Sequence, residues 1–148
     1  MGPRLRRTWT LVLLGLSLTA CGDESPPAAC SRGAAAVRSA LVAAPGPVRV
    51  AGTPISTCVK EASDADELQA VGAGLVGAAA GLSDAARRRR GGRAELRLGY
   101  LVGSARRGAG REGGERAELL RRLEQEAQSL ESDRAAYRRG VEAGRRSG

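Results

Sequence analysis

The chain has 148 residues and a formal charge of +8, with 24 basic and 16 acidic side chains, no His and no Phe. Without His it lacks the side chain most used for general acid–base work and metal binding near neutral pH. Its aromatics are Trp9, Tyr100 and Tyr137 alone, so a core must come from Leu, Val, Ala and Gly, and base stacking, which needs aromatics in a groove, is disfavoured.

Met1–Arg7 is a cationic head, and Thr10–Leu18 is an apolar stretch broken by Gly15 and Ser17. Small residues follow, in the layout of a secretory signal. The apolar run falls short of the roughly 20 residues that cross a bilayer. Leu18-Thr19-Ala20-Cys21 resembles the bacterial lipobox. That resemblance implies a diacylglyceryl group on the Cys21 thiol, cleavage after Ala20 and a palmitate-type membrane anchor. Two acyl chains hold a protein stably where one holds it marginally. The competing readings are an ordinary signal with a chance Cys and an uncleaved anchor. Arg6-Arg7 before Thr8-Trp9 also resembles a twin-arginine signal, so the export route stays open.

The expected organisation is therefore a signal over 1–20, a lipidated tether over 21–29, a helical domain over 30–144 and a disordered tail over 145–148. Losing Arg4, Arg6 and Arg7 with the signal leaves a charge of +5. Lys60 is the one Lys, an Arg bias that reads as GC-rich codon usage before it reads as chemistry. Cys30 and Cys58 form an even pair in an exported chain, which suggests one disulfide. Two free buried thiols are the alternative. From Cys21 to Cys30 the chain reaches at most about 30 Å, so the domain sits close to the membrane.

Cys30, Ala34, Val37 and Leu41 share a helical stripe, predicting a first helix over about Ser31–Ala43 that Pro45-Gly46-Pro47 ends. Val48-Arg49-Val50 reads as extended, Gly52-Thr53-Pro54 as a turn, and Ser56 as the cap of a short helix holding Cys58. Asp64 and Glu67 make a capping box for a long helix to about Arg89. Its bulky stripe is Leu68, Val71, Leu75, Ala79 and Leu82. A small-residue stripe of Ala70, Gly74, Gly77 and Gly81 runs on roughly the opposite face. A helix apolar on both sides is central and buried, and Leu68–Leu82 covers only about 21 Å, too short for a span.

Arg87, Arg88, Arg89, Arg90 and Arg93 flank Gly91-Gly92. Basic residues suit a helix C-terminus and Gly suits the position after it. The same five residues are the candidate anion-binding set. A further helix is expected over about Ala94–Gly108, then a flexible link over Gly108–Gly114. A last helix is expected from about Glu115 to Gly144, with Leu120, Leu123, Ala127, Leu130, Tyr137 and Val141 at heptad-like spacing, interrupted by Arg134. Glu118–Arg122 and Glu142–Arg146 are favourable i,i+4 pairs. The fold class is all-α, a small bundle of about four helices with a short extended segment and one disulfide.

Leu98-Gly99-Tyr100-Leu101-Val102-Gly103, then Arg106-Arg107-Gly108 and Glu118-Leu119-Leu120-Arg121-Arg122-Leu123, resemble a pattern recurrent in uncharacterised exported proteins of GC-rich bacteria. The resemblance covers about Ser56–Ala127 and carries no activity.

Neither a His-based nucleophile–base pair nor a Gly-rich phosphate loop with Lys or Ser/Thr can be assembled, and Cys30 and Cys58 alone give too few ligands for a Cys/His metal site. The sequence thus points away from an enzyme, with no catalytic residue, cofactor or metal expected. It points to a membrane-tethered envelope lipoprotein with a non-catalytic interaction or structural role, partnered by an unknown envelope protein or polymer. The alternative is a binder of anionic envelope polymers, or of extracellular nucleic acid, through an Arg-rich surface.

Overall fold

Asp64 starts the longest helix. In the computed structural model, which describes residues 29–89, 92–111, 113–128, 130 and 134–148, its side chain accepts a hydrogen bond from Glu67 N at 2.9 Å. Glu67 answers one residue further back than a standard capping box, accepting from Ser63 N and Ser63 Oγ at 2.9 and 2.8 Å. The helix so opened is α3, Ala65–Arg88.

The described elements, in order, are α1 (Gly33–Ala40), a 3-10 turn (Leu41–Ala43), strands β1 (Arg49–Val50) and β2 (Thr53–Pro54), then α2 (Ile55–Glu61), α3, α4 (Arg93–Ala109), α5 (Glu115–Gln128) and α6 (Arg134–Ser147). The architecture is an all-α bundle, with six helices among the described residues rather than about four. The strands form an antiparallel hairpin with Val50 opposite Thr53. Its two-residue turn is Ala51-Gly52, with φ of 44° and 92°, the left-handed pair that a tight hairpin requires. The expected Gly52-Thr53-Pro54 turn is thus displaced by one residue, because Thr53 and Pro54 belong to the second strand. Ser56 does not cap α2, whose N-cap is Pro54 and lacks a side-chain bond.

α3 and α4 are the central pair. Leu68, Val71, Leu75, Ala78, Ala79, Leu82 and Ala86 of α3 are buried, as are Leu98, Leu101, Val102 and Ala105 of α4. No helix among the described residues is long and apolar enough to cross a membrane. Tyr100 is fully buried, its hydroxyl accepting from Val48 N at 3.1 Å and lying 3.3 Å from Ser147 Oγ. This one aromatic ties the hairpin to both α4 and α6, giving the Leu/Val/Ala core a polar anchor that keeps its hydroxyl satisfied.

The small-residue stripe of α3 is covered by α1. A Cβ on Gly74 would stand 3.3 Å from Gly33 Cα, one on Gly77 3.0 Å from Ala34 Cβ, and one on Gly81 3.3 Å from Arg38 Cδ. Ala70 does not take part and is exposed, because α1 begins beside Gly74 and reaches no further toward the start of α3.

The expected single last helix is two. α5 packs its buried Leu119 and Leu123 toward α3 and α4, while α6 packs along α4. The heptad-like spacing runs on through the break, but its two halves face different partners, so one straight helix cannot bury both. Residues 145–148 are no disordered tail. Arg145–Ser147 complete α6, and Gly148 is buried, its carbonyl oxygen accepting from Ser56 Oγ.

α4 and α6 run parallel. A Cβ on Gly140 would overlap the Leu96 carbonyl oxygen, one on Gly144 that of Tyr100, and one on Gly148 the Ser104 hydroxyl. In the other direction, Gly99 meets the carbonyl of Tyr137 and Gly103 that of Val141. Each partner advances by about four residues as the other does, so the seam consists of glycines one turn apart on both helices. Backbones approach this closely only where side chains are missing.

Candidate functional site

Cys30 and Cys58 are joined, with Cα atoms 5.7 Å apart, and both are buried. The bond staples the turn before α1 to α2. Cys21, the expected lipid site, lies outside the described residues, as do the signal and most of the tether.

Four arginines of the candidate anion-binding set, Arg87, Arg88, Arg89 and Arg93, lie at the end of α3 and the start of α4. Arg87 forms an ion pair with Asp84, whose carboxyl is held below its ordinary value chiefly by that hydrogen bond. Arg88, Arg89 and Arg93 are exposed, and Arg90 lies outside the described residues. The structure therefore brings the described members of the set to one corner. Arg89 N donates to Ala85 O at 2.9 Å, so part of the run closes the helix, as its position predicts.

The opposite end of the bundle carries a second basic group that sequence reasoning missed. α6 and the end of α4 line a groove of about 480 Å³ with Arg106, Tyr137, Arg138, Val141, Glu142, Arg145 and Arg146. Arg106 bridges to Glu124 of α5 at 2.7 Å, and Arg146 pairs with Glu142. Arg138 and Arg145 have no ion pair among the described residues. Burial raises the Tyr137 hydroxyl above its ordinary pKa. The signal was present in the sequence, since Arg138 and Arg145 are seven residues apart and share a helix face, but the residues were divided between a long helix and a supposed tail.

A second cleft of about 520 Å³ lies between α3 and α5, lined by Leu68, Gly72, Val76 and Leu119 together with Glu118 and Arg122. Exposed carboxylates elsewhere follow the default of solvated pairing. Glu118 meets Arg121 at 2.7 Å and Arg122 at 2.8 Å. Glu95, at the start of α4, is fully buried. It continues the stripe of Leu98, Val102 and Ala105 one turn upstream, a spacing that could have marked it as inward-facing. Among the described residues no group of three or more His, Cys, Asp or Glu is arranged to hold a metal. In chemical terms, the arrangement offers cationic surfaces that attract anions.

No family model, no curated protein and no solved structure matches the chain.

Proposed function

We propose that the protein is an exported lipoprotein, held at the extracytoplasmic face of the cell membrane by lipid on Cys21, with a non-catalytic interaction or structural role in the envelope. The observation that carries this reading is the buried Cys30–Cys58 bond. A disulfide persists where the compartment is oxidising and is rare in the cytosol. It uses the two cysteines left once Cys21 is set aside, and the first of them stands nine residues beyond Cys21. The charged head, short apolar run and Leu18-Thr19-Ala20-Cys21 tetrad supply the address. The missing His supports a non-catalytic role.

Labelling cells with a fatty-acid probe tests the reading. Wild type takes up label and fractionates with membranes, whereas Cys21→Ser takes up none and is released or left uncleaved. Equal label on the two forms rejects the lipid site. A second reading, binding of an anionic envelope polymer, is favoured by Arg138 and Arg145 along the α6 groove. Recovery of glycopolymer with the protein from cross-linked cells, lost in Arg138→Gln/Arg145→Gln, would support it over a protein partner.

A further inference from the structure

Three linkages fasten the elements at one end of the bundle. Cys30 is bonded to Cys58. Ser56 Oγ donates to Gly148 O, which brings the end of α6 onto α2. Arg107 Nη1 donates to Arg146 O at 2.6 Å, and Gly108 packs on Ser56 and Val59, which brings the end of α4 to the same place. The hairpin joins them through Val48 and the Tyr100 hydroxyl, beside Ser147.

Each linkage is flanked by an exposed basic residue. Arg32 follows Cys30 by two, Lys60 follows Cys58 by two, Arg49 follows Val48, and Arg107, Arg145 and Arg146 lie at the joined ends of α4 and α6; all six are exposed. Of the acidic groups at this end, Glu142 pairs with Arg146, Asp64 caps α3, Glu67 accepts from Ser63, Glu61 is half-buried, and Asp66 and Glu115 are exposed at the starts of α3 and α5. The chain enters the domain here at Cys30, so the cationic end surrounds the root of the tether.

We propose that this end is a membrane-seating surface, a basic collar that rests on anionic phospholipid headgroups and fixes how the domain stands on the bilayer. The inference rests on the lipid-anchor reading for its geometry: a link from Cys21 to Cys30 of at most about 30 Å keeps the collar within reach of the headgroups. Charge complementarity supplies the rest, since an anionic leaflet attracts basic residues held within about a Debye length of it. The Arg88, Arg89 and Arg93 corner lies at the other end of α4, about 24 Å away at 1.5 Å per residue, beyond that range.

Lys60, the single lysine of the chain, makes the test site-specific. The lipidated protein, purified in neutral detergent, is reconstituted into vesicles of neutral phosphatidylcholine, or of the same lipid with about 30% phosphatidylglycerol. Vesicle flotation reads attachment, and modification of Lys60 by an uncharged amine reagent, scored by peptide mass against a free lysine amide, reads seating. The expected result is flotation with both vesicles and labelling of Lys60 slowed about threefold or more on the anionic ones, with the protection lost in about 0.5 M salt. Arg145→Gln/Arg146→Gln should lose the protection, while Arg88→Gln/Arg89→Gln, which removes equal charge from the far end, should keep it.

Flotation with both vesicles but equal labelling of Lys60 overturns the collar and leaves the anchor standing. Flotation with anionic vesicles alone, reversed by salt, rejects the anchor while supporting the collar. Flotation with neither overturns both, and equal loss of protection in the two double variants overturns the collar in favour of unspecific charge. Circular-dichroism melts of both variants must match wild type, and if the Arg145→Gln/Arg146→Gln chain unfolds, Arg32→Gln/Arg49→Gln takes its place with the same expectation.

Discussion

Gly140 lies against the backbone of Leu96, with no room at position 140 for a Cβ beside the Leu96 carbonyl oxygen. Gly99 stands in the same relation to Tyr137. Glycine costs a helix interior about 1 kcal/mol relative to alanine, so these positions hold only because packing outweighs propensity. Gly140→Ala should therefore destabilise by about 1–3 kcal/mol or more, despite the better helix former, because the obstacle is rigid backbone. Gly113, with open space around it, is the control: Gly113→Ala should leave the urea midpoint unchanged or raise it slightly. Equal midpoints for wild type and Gly140→Ala would reject the close parallel seam.

Arg116 of α5 holds the end of α2. Its guanidinium donates to the carbonyl oxygens of Val59, Lys60 and Ala62 at 3.3, 3.0 and 2.9 Å, groups at a helix end that have no partner within the helix. Charged hydrogen bonds of this kind contribute about 1.5–3 kcal/mol. Arg116→Ala should cost that much in a urea titration. Arg116→Lys should fail to restore it, because a point charge cannot reproduce the forked donor geometry. Full rescue by lysine would mean that charge, not the fork, matters.

The small-residue face of α3 gives a test whose two outcomes differ in sign. Gly77 faces Ala34 of α1, so Gly77→Leu pushes a bulky side chain under α1 and should lower the urea midpoint, costing about 1–3 kcal/mol. Were that face open to solvent, replacing a helical glycine would instead stabilise by up to about 1 kcal/mol. A higher midpoint in Gly77→Leu rejects the packing of α1 on α3.

Features whose causes are local were legible in the sequence. Asp64 and Glu67 announced the start of α3, the parity of Cys30 and Cys58 announced a bond, and Gly74, Gly77 and Gly81 announced a closely packed face, to which Ala70, the fourth small residue of the stripe, does not belong. The partner of that face was not legible, because nothing in Gly74 or Gly77 names α1. The α4–α6 seam was missed although its signal was equally plain: Gly99 and Gly103, and Gly140, Gly144 and Gly148, repeat every four residues. Reading one helix from Glu115 onward put the second set at the fringe of a helix and in a tail, where glycine needs no explanation. The same division scatters Arg138, Arg145 and Arg146 along the sequence, where the contiguous run at Arg87–Arg90 stands out instead. A run is conspicuous in sequence, but a cationic surface depends on which elements meet, and that depends on contacts distant along the chain.

The bond between Cys30 and Cys58 closes a segment with a separation of 28 residues. Cross-linking a loop of this size restricts the unfolded chain and stabilises by roughly 3–4 kcal/mol in the chain-entropy model. Peptide mapping without reductant should recover the two cysteines joined, and adding reductant should lower the melting temperature. A Cys30→Ala/Cys58→Ala chain should melt at the lower temperature whether or not reductant is present. Full alkylation of both thiols in unreduced exported protein would show that the bond does not form.

Glu118 gives the fold an acid-sensitive group. Its carboxylate accepts from Arg121 first and Arg122 second, and these bonds hold it down from an ordinary 4.5 to about 2. A carboxyl whose pKa is lower in the folded chain than in the unfolded one stabilises the fold above the unfolded value. That contribution fades as pH falls from about 4.5 toward about 2. Both arginines lie on the same helix, α5, so the effect belongs to that helix and should weaken with salt. Nuclear magnetic resonance should find the Glu118 side chain titrating near the low value, and Arg121→Gln/Arg122→Gln should return it toward the ordinary range. In acid titrations of stability, Glu118→Gln should flatten the loss between those two pH values while changing little above them beyond the ion pairs themselves. A Glu118 that titrates at its ordinary value in the wild-type protein would show that the arginines are solvated, and the pairing seen along α5 would then contribute nothing to its stability.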